Sequence, residues 1–127
     1  MKEAAKIWVE DAEYDLASAE VMYNSGRHFF VIFMCNLAVE KMLKAVWAYG
    51  KDEYPPKVHD LIYLMRKTEM VLPQDLDELI IYLSDKNVIT RYPDGRREIA
   101  NQLTKEKSKQ VLDLTGGFIK WLKPKLK

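Results

Sequence analysis

At 127 residues the chain has room for one hydrophobic core but not for a catalytic domain joined to a separate binding domain, so residues 1–127 read as a single domain. Twenty basic against nineteen acidic side chains leave a formal charge of +1, which excludes a chain-wide field that could hold nucleic acid nonspecifically; such a contact would need a local cluster. The single cysteine, Cys35, excludes an intrachain disulfide and a cysteine-rich metal site, and its place inside an apolar run favours a small buried side chain over a reactive thiol.

The N-terminal stretch MKEAAKIWVEDAEYD carries charges where a signal peptide needs an apolar core, so the cytoplasm is the expected compartment. From Glu3 to about Ser25, Trp8, Ala12, Leu16, Ala19 and Tyr23 recur at spacings of four and three, the mark of one apolar stripe along an amphipathic helix. Asp11 and Asp15 lie one turn apart beside that stripe. No histidine or further acid joins them at ligand spacing, so they read as a solvated or salt-bridging edge and no metal set is assigned. Asn24, Ser25 and Gly26 end the helix, and so short a turn returns the next helix antiparallel as a hairpin.

That second helix, HFFVIFMCNLAVEKMLKAVWAY from His28 to Tyr49, is apolar almost all round and must be covered on most sides. Its uninterrupted apolar run is too short for a bilayer, which needs roughly 20 residues, and Glu40, Lys41 and Lys44 follow it, so no membrane span is expected. Asn36, Glu40, Lys41 and Lys44 share one arc with Phe33 and Leu37, either an exposed stripe or one that faces a partner. A carboxylate on such a helix must find a cation, and Glu40 with Lys44 and Arg91 is the expected network.

Gly50 closes the helix, and residues 51–57, with Pro55 and Pro56 side by side, form an ordered connection without helix. Val58, Leu61, Ile62 and Met65 then mark a short helix ending near Thr68, with His59 in its first turn beside Asp60. His59 reads either as a general base or ligand, or as a histidine that packs and hydrogen-bonds where the connection meets the helix; the second reading is preferred. After Pro73, Asp75, Asp77 and Glu78 suit the positive end of a fourth helix whose buried stripe is Leu76, Leu79, Ile80 and Leu83, ending near Asn87.

The segment NVITRYPDGRREIANQ breaks every helical pattern, because Pro93 restricts Tyr92 and Asp94-Gly95 is a turn signal; it reads as the longest irregular stretch. A last helix starts near Leu103 with Thr104 as its cap, and Val111, Leu114, Phe118 and Leu122 keep one face across Gly116-Gly117. Two glycines inside a helix imply close approach by a neighbour, with the central helix the expected one. The whole is all-α: an up-and-down bundle of about five helices around a four-helix core.

Four segments in order resemble the HEPN family of small all-helical domains. They are Trp8 followed by Ala12-Glu13-Tyr14-Asp15-Leu16, the run Cys35-Asn36-Leu37-Ala38-Val39-Glu40-Lys41-Met42-Leu43-Lys44-Ala45, the triplet His59-Asp60-Leu61, and Thr90-Arg91-Tyr92-Pro93-Asp94. The resemblance implies the same bundle, a homodimer, and a separate minimal nucleotidyltransferase as partner, since this chain has no Gly-Ser motif followed by an Asp-x-Asp pair. One branch of the family consists of metal-independent ribonucleases with an arginine, four to six residues, then a histidine. Counting from Arg91, the candidate positions hold Arg96, Arg97 and Glu98, and neither His28 nor His59 follows an arginine at that spacing. No catalytic residue and no cofactor is therefore assigned.

Three function classes remain. In the first, a noncatalytic module, Arg91, Arg96 and Arg97 receive a nucleotide or RNA phosphate and Tyr92 stacks on a base, supported by a polar network of Glu40, Lys44, Asp94 and His59. Against it stands a structural role for the same loop, with Arg91 paired to Glu40 or an aspartate and Tyr92-Pro93 packed on the bundle. The second class is a degenerate ribonuclease that uses His59, and the third a purely structural dimer.

Overall fold

The computed structural model describes residues 2–51, 53–89 and 93–127, without the side chains of residues 87–89, 96 and 99. Among the described residues six helices run in the order α1 (Glu3–Asn24), α2 (His28–Lys51), α3 (Leu61–Thr68), α4 (Gln74–Ile89), α5 (Pro93–Gln102) and α6 (Lys105–Leu122), followed by a 3-10 turn at Lys123–Leu126. No strand occurs among the described residues.

The hairpin of α1 and α2 turns on Gly26, whose φ of 74° lies in the left-handed region that a side chain disfavours. The amide of Gly26 donates to the Tyr23 carbonyl at 3.0 Å and that of Arg27 to the Met22 carbonyl at 2.9 Å. These two bonds form a Schellman motif that satisfies the last carbonyls of α1 and reverses the chain.

α2 is the axis of the molecule. It touches every other helix, and Val31, Ile32, Cys35, Ala38, Val39, Met42, Leu43, Ala45 and Ala48 are all buried along it. That burial is what its near-continuous apolar sequence requires. Gly50 falls inside the last turn of α2, which extends to Lys51. α1 contributes Ala5, Val9, Ala12 and Ala19 to the core, and small residues there let α1 lie close against α2.

Residues 53–60 are non-helical, as the two prolines dictate. The carboxylate of Asp60 caps α3 by accepting from the Tyr63 amide at 3.0 Å, so His59 lies just outside the helix and not within its first turn. α3 adds Leu61 and Leu64 to the core, and α4 adds Leu76, Leu79, Ile80 and Leu83, the stripe its spacing predicts. The N-cap of α6 is Thr104, whose hydroxyl accepts from the Lys107 amide at 3.0 Å.

Two further expectations are overturned. The segment expected to be irregular contains α5, because Pro93 stands at the first helical position, where its missing N–H costs nothing, and Asp94 follows at the positive helix end. Its Asp94-Gly95 pair belongs to a helical turn and not to a reverse turn. The glycines of α6 do not meet the central helix either: a methyl at Gly116 would lie 3.8 Å from Leu16 of α1, an ordinary contact, and one at Gly117 would meet nothing within 4 Å. α6 passes α1 on that face without needing either glycine for clearance.

Candidate functional site

Halfway along α2 the apolar sequence gives way to a polar arc, and the structure buries most of it. Asn36, Glu40 and Lys44 are 7%, 5% and 5% exposed, so the arc faces neighbouring chain and not solvent. Each buried group has a partner, as burial demands. Asn36 donates its side-chain amide to the Leu83 carbonyl of α4 at 2.9 Å. Glu40 Oε2 lies 3.2 Å from Lys44 Nζ one turn on, and both of its oxygens lie 3.1 Å from Nδ1 of His59.

His59 reaches this carboxylate from the end of the 53–60 connection. Its side chain is 57% exposed, while that of Glu40 is 7% exposed, so the pair runs from surface to interior. A carboxylate can only accept, so Nδ1 of His59 donates to Glu40. The Lys44 ammonium lies 5.6 Å from the Trp8 ring centre. Trp8 in turn meets Tyr54 edge to face with centroids 5.9 Å apart. The Trp8 ring of α1 thus lies beside the ammonium of the buried charge pair, and the exposed Tyr54 of the connection packs on Trp8.

One turn toward the hairpin, Lys41 clamps α1 to α2, with Nζ 2.7 Å from Asp15 and 3.1 Å from Asp11. Burial works to lower the Lys41 pKa, but the hydrogen bonds and charges of the two aspartates outweigh it and raise it above the ordinary lysine value. The two aspartates are therefore a salt-bridging edge. Burial pushes the Cys35 thiol up to about 11, against a smaller lowering by a hydrogen bond with Thr115, which makes Cys35 a core side chain and not a nucleophile.

Of the residues singled out in the sequence, the structure brings together Glu40, Lys44 and His59. Asp94 and Arg97 lie exposed on α5, and no described contact ties Asp94 to that trio. Arg96 lies on α5 with its side chain outside the described residues, and Arg91 and Tyr92 lie outside them altogether, as does the expected bond from Arg91 to Glu40. α5 itself packs against both α2 and α4. Among the described residues there is no cluster of three or more histidine, cysteine or acidic side chains able to hold a metal ion, and no helix is long and apolar enough to cross a membrane.

Sequence reasoning missed Trp8 as the ring beside the charge pair and Lys41 as the partner of the two aspartates. A signal existed for most of it. Asp11 and Lys41 stand equidistant from Gly26 along the chain, as do Trp8 and Lys44, so folding the hairpin at Gly26 brings each pair level.

Comparison with known proteins agrees with this architecture. No curated protein matches the chain. Among solved structures, TT1696 from Thermus thermophilus is similar over 98% of this chain and 99% of its own, with a TM-score of 0.79 and 23% sequence identity. The protein ST0689, described as an archaeal HEPN homologue, is similar over the full length of both chains, with a TM-score of 0.74 and 18% identity. At such identities the likeness speaks for the fold alone. The HEPN domain model, by contrast, matches the sequence itself over residues 5–125, nearly its whole length, and on that match the chain belongs to the HEPN domain family.

Proposed function

We propose that this chain is a noncatalytic HEPN subunit, a homodimer that binds a phosphate-bearing ligand, nucleotide or RNA, through Arg91, Tyr92, Arg96 and Arg97 and acts beside a separate minimal nucleotidyltransferase. The observation that carries the reading is the start of α5 at Pro93. The amide-bearing, positive end of a ten-residue helix begins in the middle of a sequence that holds three arginines and a tyrosine. Amides, a helix dipole and guanidinium groups in one short stretch are the elements of a phosphate site. Arg97 is exposed there. Asp94 in the first turn is the opposing charge, and a ligand has to bind against it.

The test is calorimetric titration with ATP, GTP and a short single-stranded RNA at low salt. Binding that weakens as salt rises and is lost in the Arg91→Ala/Arg96→Ala/Arg97→Ala variant supports the reading. Absence of binding below millimolar concentration by all three, or an unaffected triple variant, makes the segment a structural connection.

The Glu40–His59 pair favours a second reading, a ribonuclease without the usual motif. A buried carboxylate on Nδ1 orients an imidazole as a proton acceptor. RNA cleavage by the purified protein that disappears on His59→Ala supports this reading; an uncleaved substrate removes it.

A further inference from the structure

The outer face of α1 carries three large apolar side chains that the bundle leaves uncovered: Ile7, Tyr14 and Val21, 59%, 74% and 59% exposed. They are spaced by one heptad, so they lie on a single line down the helix. The inward face of α1 holds Ala5, Val9, Ala12 and Ala19, so the outer line is additional to the core-facing stripe. The line is also symmetric: two branched aliphatic residues stand at equal distances on either side of a tyrosine.

We propose that this face pairs with the same face of a second copy of the chain, α1 against α1 and antiparallel, with Tyr14 on the twofold axis and Ile7 of each copy against Val21 of the other. This rests on the homodimer part of the reading above and adds to it which surface is used. A twofold contact needs a self-complementary patch. Reversing α1 about Tyr14 returns an aliphatic residue to each aliphatic position.

Charge selects the direction. The carboxylates flanking the line, Glu3, Glu10 and Asp11, all lie in the N-terminal half, and the C-terminal half is flanked by the uncharged Ala17, Ser18, Asn24 and Ser25. A parallel pair aligns the two helix dipoles, and it sets Glu10 and Asp11, which pair with Lys6 and Lys41 of their own chain, against their own copies. An antiparallel pair sets them against Ala17 and Ser18 and opposes the two helix dipoles. α1 is 22 residues, about 33 Å, long. One such face is smaller than a standard interface, so the dimer dissociates on dilution.

Cross-linking on the intact protein tests the geometry. Single-cysteine additions are oxidised mildly with the parent as control, since its own Cys35 is buried. On the axis, Tyr14→Cys gives a covalent dimer by itself. Ile7→Cys and Val21→Cys each form no covalent dimer alone and cross-link when mixed. In parallel, Tyr14→Glu, at a site exposed enough to spare the fold, shifts the concentration at which light scattering changes from dimer to monomer upward by about tenfold or more. Self-linking by Ile7→Cys marks a parallel pair and overturns the proposal. A dimer that Tyr14→Glu leaves unchanged also overturns it but spares the homodimer reading, whereas a parent that stays monomeric at high concentration removes both.

Discussion

Nδ1 of His59 lies 3.1 Å from each carboxylate oxygen of Glu40, and this contact ties the non-helical approach to α3 to the middle of the central helix. With Lys44 on the other side, the carboxylate is compensated inside the protein. Glu40→Gln leaves the Lys44 ammonium buried without its counter-charge, and a loss of about 3 to 5 kcal/mol is expected. Urea denaturation measures it. His59→Ala costs less, because the ring is mostly exposed, and Glu40→Gln combined with Lys44→Met recovers part of the loss; an unchanged midpoint for Glu40→Gln contradicts the pair's structural role.

Gly117→Ala is expected to stabilise the protein by about 0.5 to 1 kcal/mol, because alanine is the better helix former and the added methyl meets no neighbour. A lower melting temperature for this variant means that some partner, absent from the isolated chain, approaches that position.

Cys35 makes stability depend on alkaline pH. Its thiol has a folded pKa of about 11 against an ordinary value of 9.0, so unfolding releases its proton more readily as pH climbs. The contribution is complete below pH 9.0 and is lost as pH rises toward 11. The folded state therefore loses about 2 to 3 kcal/mol across that window through this group. Denaturation of Cys35→Ala in parallel isolates it, since lysines titrate in the same range: the variant's stability falls less steeply with pH. Equal slopes place the thiol in contact with water.

Thr104→Ala removes the acceptor for the Lys107 amide and Asp60→Ala the acceptor for the Tyr63 amide. Each is expected to cost about 1 kcal/mol by chemical denaturation, with Thr104→Ser close to neutral. If Thr104→Ser costs as much as Thr104→Ala, the methyl group and not the hydroxyl is what matters there.

The elements whose evidence is local were legible in the sequence. The near-continuous apolar run of α2, the stripe Leu76-Leu79-Ile80-Leu83, the Thr104 cap and the glycine-bearing end of α1 all follow from spacing and backbone preference within one turn or two. So did the all-helical class, because no segment alternates with a strand's period. α5 was hidden because Pro93 and Asp94-Gly95 have the same composition in a helix's first turn as in a loop, and only its packing against α2 and α4 distinguishes them. Which side of the polar arc is buried was likewise a tertiary outcome. Glu40 and Lys44 stand one turn apart on the same helix, but His59 and Trp8 come from separate segments and meet them only in the folded bundle. Helix periodicity states which residues share a face, whereas the identity of what covers that face depends on contacts distant in the chain, and those exist only once the hairpin has closed at Gly26 and the later helices have packed around it.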